Sequence, residues 1–111
     1  MNGVAAEDRA CRYLREHGYR VIARNWRCRL GEIDIVARDC DVLAFVEVKA
    51  RSGDGFGGPE GAVGRAKQRR LIRTALAFLQ TTDCELPARF DVVAVRPDGV
   101  RLYRDAFQVD N

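Results

Sequence analysis

Apolar residues recur along this 111-residue chain with two different periods. Over residues 3 to 17, Ala10, Cys11 and Leu14 fall at helical spacing and Gly18 supplies a stop, which predicts an amphipathic first helix. From Tyr19 to Cys28 the pattern alternates loosely and predicts a first strand. Gly31 to Arg38 and Val42 to Arg51 predict the second and third strands, joined by a short turn at Asp39 to Asp41. Pro59 suits a first helical position, after which Ile72, Ala75, Leu76 and Leu79 mark a second amphipathic helix ending near Gln80. Arg89 to Arg96 predicts a fourth strand closed by the turn Pro97-Asp98-Gly99, with a short fifth strand expected beyond it. The order α-β-β-β-α-β lets the third strand, second helix and fourth strand form a right-handed parallel crossover. The expected fold is α/β, a mixed sheet with helices against it.

Charges interrupt this pattern where a buried hairpin calls for Val, Ile or Phe. Because side chains alternate along a strand, Glu32, Asp34 and Val36 are expected on one face, with Ile33 and Ile35 on the other. In the next strand Phe45, Glu47, Lys49 and Arg51 share a face opposed by Val46, Val48 and Ala50. A tight turn about Cys40 and Asp41 pairs position i with 81 minus i and sets Asp34 opposite Glu47. Two carboxylates with Cβ atoms roughly 5 Å apart destabilise a sheet unless something positive lies between them. A divalent cation resolves the conflict.

The helices extend the same picture. Glu7 lies about 20° from Leu14 and Gln68 about 40° from Ile72 on their wheels, so both polar groups occupy sides expected to be apolar. Burying them without partners is costly, which directs Glu7, Asp34, Glu47, Lys49 and Gln68 from separate segments toward one place. Lys67 points away from that side, toward the rim; Arg65, on the inner side, and Arg69, Arg70 and Arg73 add positive charge nearby. Each position also has a structural alternative. Asp34 suits an edge-strand charge, Glu47 a partner for Lys49 or Arg51, and Glu7 a frayed first turn. Asp91, in RFDVVAV, is read as structural.

Composition changes the picture in three respects. Hydrophobic residues are 47% of the chain and charged residues 32%, a balance that favours a folded core over disorder. The length suits one domain spanning residues 1 to 111. Of the 19 basic residues 17 are Arg, seven of them between positions 9 and 29, although the net charge is only +3. That distribution suggests a basic face for nucleic acid, while Lys49 and Lys67 stand out as the two positions that keep a compact ammonium. Cys11, Cys28, Cys40 and Cys84 form no C-x-x-C pair and His17 is the single histidine, so no common zinc pattern is present. The start MNGVAAED lacks a basic segment followed by an apolar run, and no apolar stretch approaches the roughly 20 residues of a membrane span. A cytoplasmic protein with free thiols and no membrane partner is expected.

Gly53, Gly55 and Gly58 satisfy G-x-G-x-x-G between a strand and a helix, the dinucleotide context. Asp54 and Glu60 would repel a pyrophosphate there, and the preceding strand carries Glu47 and Lys49 in place of apolar residues. No nucleotide cofactor is expected. A loop over a substrate is the better use of these glycines.

An acid in the first helix, GEIDIVA, FVEVKAR and AKQRRL together resemble the bacterial YraN-type family of proposed endonucleases. That family is placed in the PD-(D/E)XK nuclease superfamily and is similar in core to archaeal Holliday junction resolvases. The resemblance covers roughly residues 3 to 95. It implies a restriction-endonuclease-like core in which Asp34 takes the place of the first acid and Glu47 and Lys49 the E-x-K. Glu7 matches the helix-one glutamate of related nucleases, and Gln68 with Lys67 the helix motif. Ile33 stands where the superfamily has Pro, a position that often varies.

The activity expected on this basis is metal-dependent hydrolysis of phosphodiester bonds in nucleic acid, DNA ahead of RNA and branched DNA among the candidates. Asp34, Glu47 and the carbonyl of Val48 are the expected Mg²⁺ ligands, with Mn²⁺ as a substitute and Glu7 completing the site. Lys49 and Gln68 are expected to position water or phosphate, while Arg51, Arg65, Lys67, Arg69, Arg70 and Arg73 bind the backbone. Cutting both strands of a junction would call for a homodimer. The alternative is a nucleic-acid-binding module that keeps the fold without cleaving.

Overall fold

The first helix closes as its sequence dictates. In the computed structural model, which describes residues 3–51 and 61–109, α1 (Gly3–Glu16) buries Ala6, Ala10, Cys11 and Leu14 as one stripe. Gly18, at φ 88°, then ends it: the Gly18 and Tyr19 amides donate to the Arg15 and Leu14 carbonyls at 3.1 and 2.9 Å. This is the paired arrangement that a left-handed residue after a helix allows.

Five nine-residue strands and one more helix follow: β1 (Arg20–Cys28), β2 (Gly31–Asp39), β3 (Val42–Ala50), α2 (Arg65–Thr81), β4 (Ala88–Arg96) and β5 (Gly99–Phe107). The strands lie in chain order in one sheet, with β3 and β4 parallel and the other neighbours antiparallel. The architecture is α/β, with a mixed sheet between two helices, consistent with a restriction-endonuclease-like core. β5 is as long as its neighbours, longer than the short strand expected, because it pairs along β4 from Arg96↔Gly99 to Phe90↔Phe107. α2 starts later than Pro59. Residues 61 to 64 are not helical and Gly64 is extended at φ −62°, ψ 153°, since a segment holding Gly61 and Gly64 is a poor helix former. Pro59 itself lies outside the described residues, as do Gly53, Gly55 and Gly58.

Each sheet face has its own core. On one side α1 and Tyr19 pack on Ile35, Ala37, Ala44, Val46, Val93 and Val95. On the other, Leu71, Ala75 and Phe78 of α2 pack on Ile33, Val36, Leu43, Phe45 and Phe90. Phe78 meets Trp26 and Phe45 edge-on, with centroids 5.3 and 5.8 Å apart, the geometry that aromatic quadrupoles favour. Ile33 and Ile35 therefore fall on opposite faces, against strict alternation. The slip occurs at Asp34 and, across the hairpin, at Asn25, which adopts φ 51° between the pairs Arg24↔Ile35 and Trp26↔Ile33. A left-handed residue turns the following side chains over. Asp34 thus occupies a local defect in the sheet.

Among the described residues all four cysteines are free, with Cys11 buried and Cys40 exposed. No helix there is long and apolar enough to cross a membrane.

Candidate functional site

The face of β3 that meets α2 carries Leu43 and Phe45 in the core and, next in the alternation, Glu47, which is only 8% exposed. The β2–β3 ladder runs from Asp39↔Val42 to Ile35↔Val46. This is the 81-minus-i register, and it brings Asp34 level with Glu47. There a side chain takes over from the ladder: the Val48 amide donates to Asp34 Oδ2 at 2.8 Å. Since the N–H and C=O of one strand residue leave toward the same edge, the Val48 carbonyl is turned to the side of the strand where Asp34 lies.

Asp34 lies close enough to Glu47 for the second acid to disfavour its ionisation. Burial, then the neighbouring Glu47, push the Asp34 carboxyl up to about 7; the Val48 amide and the Lys67 ammonium act in the opposite direction. Lys67 Nζ lies 3.2 Å from Glu47 Oε2. Lys67 therefore reaches inward, not toward the rim: its long stem carries the ammonium over the helix edge to the buried acid. Arg70, Leu71 and Thr74 of α2, with Gly31 and Glu32, complete the walls of a hollow of about 220 Å³ around the acids.

Gly31 is needed for this wall. A Cβ there would stand 2.8 Å from Thr74 Oγ1, which donates to the Arg70 carbonyl at 2.7 Å. Gly31→Ala is expected to cost about 1–3 kcal/mol through overpacking. Chemical denaturation should show part of that loss recovered in a Thr74→Ala background.

The other expected residues divide into three groups. Lys49 Nζ donates to the Ala62 carbonyl; burial, then Arg51 and Lys67, lower its pKa against the opposing effect of Glu47. Glu7 accepts from Asn25 Nδ2 at 2.9 Å, with Arg24 3.8 Å away. It comes from α1, whose core is the other face of the sheet, and reaches the strand position opposite Asp34 only through Asn25. Gln68 donates to the Val63 carbonyl at 2.7 Å and lines a separate groove with Arg65, Arg69 and Arg73. The structure thus joins Asp34 and Glu47 with Lys67 and Arg70, and leaves Gln68 outside their hollow.

Asn25 is the residue that the sequence reading missed. Its one signal was chemical: an Asn in mid-strand is a poor strand former but tolerates the left-handed region. Among the described residues no group of three or more His, Cys, Asp and Glu side chains gathers for a metal. The donors on hand are two carboxylates and a backbone carbonyl, all hard oxygens. They suit a small divalent cation that keeps several waters, and such a cation would relieve the repulsion within the pair.

A family model described as "Uncharacterised protein family UPF0102" matches residues 6–95. The chain belongs to the UPF0102 family. This is the YraN-type family whose motifs the sequence resembles, and the matched span includes Glu7, Asp34, Glu47, Lys49, Lys67 and Gln68. A UPF0102 protein of Syntrophus aciditrophicus is 50% identical over 112 residues, covering 96% of this chain and 88% of its own. Its counterpart in Ralstonia nicotianae is 53% identical over 113 residues, covering 97% and 87%. That of Lachnoclostridium phytofermentans is 47% identical over 109 residues, covering 96% and 92%.

Proposed function

We propose that this UPF0102 protein is a metal-dependent nuclease acting on nucleic acid, DNA ahead of RNA. The observation that carries the reading is the juxtaposed pair of Asp34 and Glu47, at the end of a ladder and walled by Lys67 and Arg70. A fold rarely retains two carboxylates in contact for stability alone. Asp34, Glu47 and the Val48 carbonyl would hold Mg²⁺, with Mn²⁺ as a substitute. When bound, the ion would make a coordinated water more acidic and offset charge on a phosphoryl oxygen.

The chain's own groups would do the rest. Lys49, next to Glu47 on the same face of β3, would orient the attacking water or neutralise a non-bridging oxygen. Its lowered pKa makes its proton easier to lend. Lys67 and Arg70 would grip the phosphate that enters the hollow, Lys67 leaving Glu47 as it does so. Glu7, held by Asn25, would set the β1 position facing Asp34.

Incubation with labelled linear, flapped, four-way and single-stranded DNA, and with RNA, tests the reading directly. Cutting that requires Mg²⁺ or Mn²⁺ supports it. Salt-sensitive binding indifferent to chelator, with none of the substrates in the panel cut, would instead support the non-cleaving binding module. Lys67 gives a further check, because its ammonium competes for Glu47. Lys67→Met is expected to bind Mn²⁺ several-fold more tightly by calorimetric titration while binding DNA more weakly; unchanged metal affinity would count against Glu47 as a ligand.

A further inference from the structure

Helix α2 carries Arg65, Lys67, Arg69, Arg70 and Arg73 and no acid in its 17 residues. Arg65 and Lys67 sit in its first turn, where the helix dipole disfavours positive charge, and the other three follow by the middle of the helix. The five form two stripes. Lys67 and Arg70, with Leu71 and Thr74, face the acidic hollow. Arg65, Arg69 and Arg73, four residues apart, line a second groove of about 400 Å³ closed by Ile72, Gln108 and Val109. Positions 69 and 71 are about 200° apart around the axis, and the body of a helix is about 10 Å across. No single strand can lie in both channels at one level.

We propose that α2 divides the strands of a forked nucleic acid: one strand enters the acidic hollow while a single-stranded tail lies in the Arg65–Arg69–Arg73 groove. The inference rests on the nuclease reading for the hollow and adds the class of substrate. Successive arginines on this stripe rise about 6 Å along the helix, a step that suits consecutive phosphates of an extended strand. Arg69 and Arg73 make no ion pair among the described residues, so their forks are available for phosphate oxygens or for stacking on bases. The apolar floor of Ile72 and Val109, the latter 54% exposed, offers contact for bases, whereas a pocket of this size has no room for a duplex.

The test is equilibrium binding by fluorescence anisotropy in chelator, using full-length Asp34→Asn protein with and without Arg69→Glu/Arg73→Glu. The probes are a short DNA duplex, blunt or carrying a single-stranded thymidine tail. The parent is expected to prefer the tailed duplex about tenfold, the scale of one stacked base. The charge reversal is expected to remove that preference and to flatten the dependence of log Kd on log salt by roughly 0.7 for each arginine lost. A thermal melt, together with the milder Arg69→Gln/Arg73→Gln variant, separates this from misfolding. Equal weakening for blunt and tailed probes, or no weakening, overturns the divider while leaving metal-dependent cutting intact. Binding of neither probe by the parent overturns it together with the nuclease reading.

Discussion

Asp34→Asn is expected to abolish metal-dependent cleavage, to remove metal-induced stabilisation and, without metal, to make the protein more stable at alkaline pH. Loss of a ligand's indirect partner already costs roughly 10–100-fold, so loss of a direct donor should reduce cleavage by more than roughly 100-fold on that scale. A cation at a hundredfold excess over its Kd stabilises a folded protein by about 2.7 kcal/mol. The parent should show a rise of that order in thermal melts with Mn²⁺, and Asp34→Asn almost none.

The pH dependence has the opposite sign from an ordinary salt-bridged acid. Asp34 is raised from 3.8 to about 7 by burial and by Glu47, so the folded chain holds the proton more tightly than the unfolded one. The associated stability is complete below about pH 4 and is lost as pH rises through about 7, at no more than about 1.4 kcal/mol per pH unit. Asn cannot ionise and should flatten that slope. Metal replaces the proton, so its stabilising effect should be larger at pH 8 than at pH 5. A metal effect equal in the parent and in Asp34→Asn would remove Asp34 from the ligand set.

Asp91→Ala is expected to destabilise the protein by about 3–5 kcal/mol, the range for breaking a buried charge pair by deleting one member. Asp91 is fully buried. It accepts bonds from Tyr19 Oη at 3.1 Å, Arg89 Nε at 2.9 Å, Arg89 Nη2 at 3.0 Å and the Asp105 amide at 2.9 Å. Arg89 also reaches Asp39 at 3.0 Å and Tyr19 Oη at 2.8 Å, and Asp91, then Asp39, hold its guanidinium still more firmly protonated than usual. The cluster joins β2, β4 and β5 to Tyr19, between α1 and β1. Without Asp91 the Arg89 charge stays partly buried with a weaker partner, and the Asp105 amide loses its acceptor. Urea denaturation at neutral pH measures the loss; a change below about 1 kcal/mol would mean that the cluster relaxes at little cost. Reading Asp91 as structural agrees with this bonding.

Much of the architecture was legible because it depends on neighbours along the chain. The Ala10–Cys11–Leu14 stripe, the Gly18 stop and the two-residue turn at Cys40 and Asp41 are local patterns, and each maps onto an observed element. The 81-minus-i register followed from that turn alone, and with it the level placement of Asp34 and Glu47. The length of β5 was less visible, since its exposed and half-buried positions carry little period-two signal and its pairing with β4 stabilises it.

The sequence by itself determined which acids meet, because one hairpin register fixes both of them. Only the tertiary structure decided what surrounds them. Placing Lys67 on Glu47 depends on how α2 docks and how far a flexible stem reaches, and a helical wheel encodes neither. Removing Gln68 to another groove depends on the same docking. Tying Glu7 to Asn25 depends on the left-handed residue that turns the side chains of β1 over, a long-range pairing effect that alternation counted along one strand does not contain.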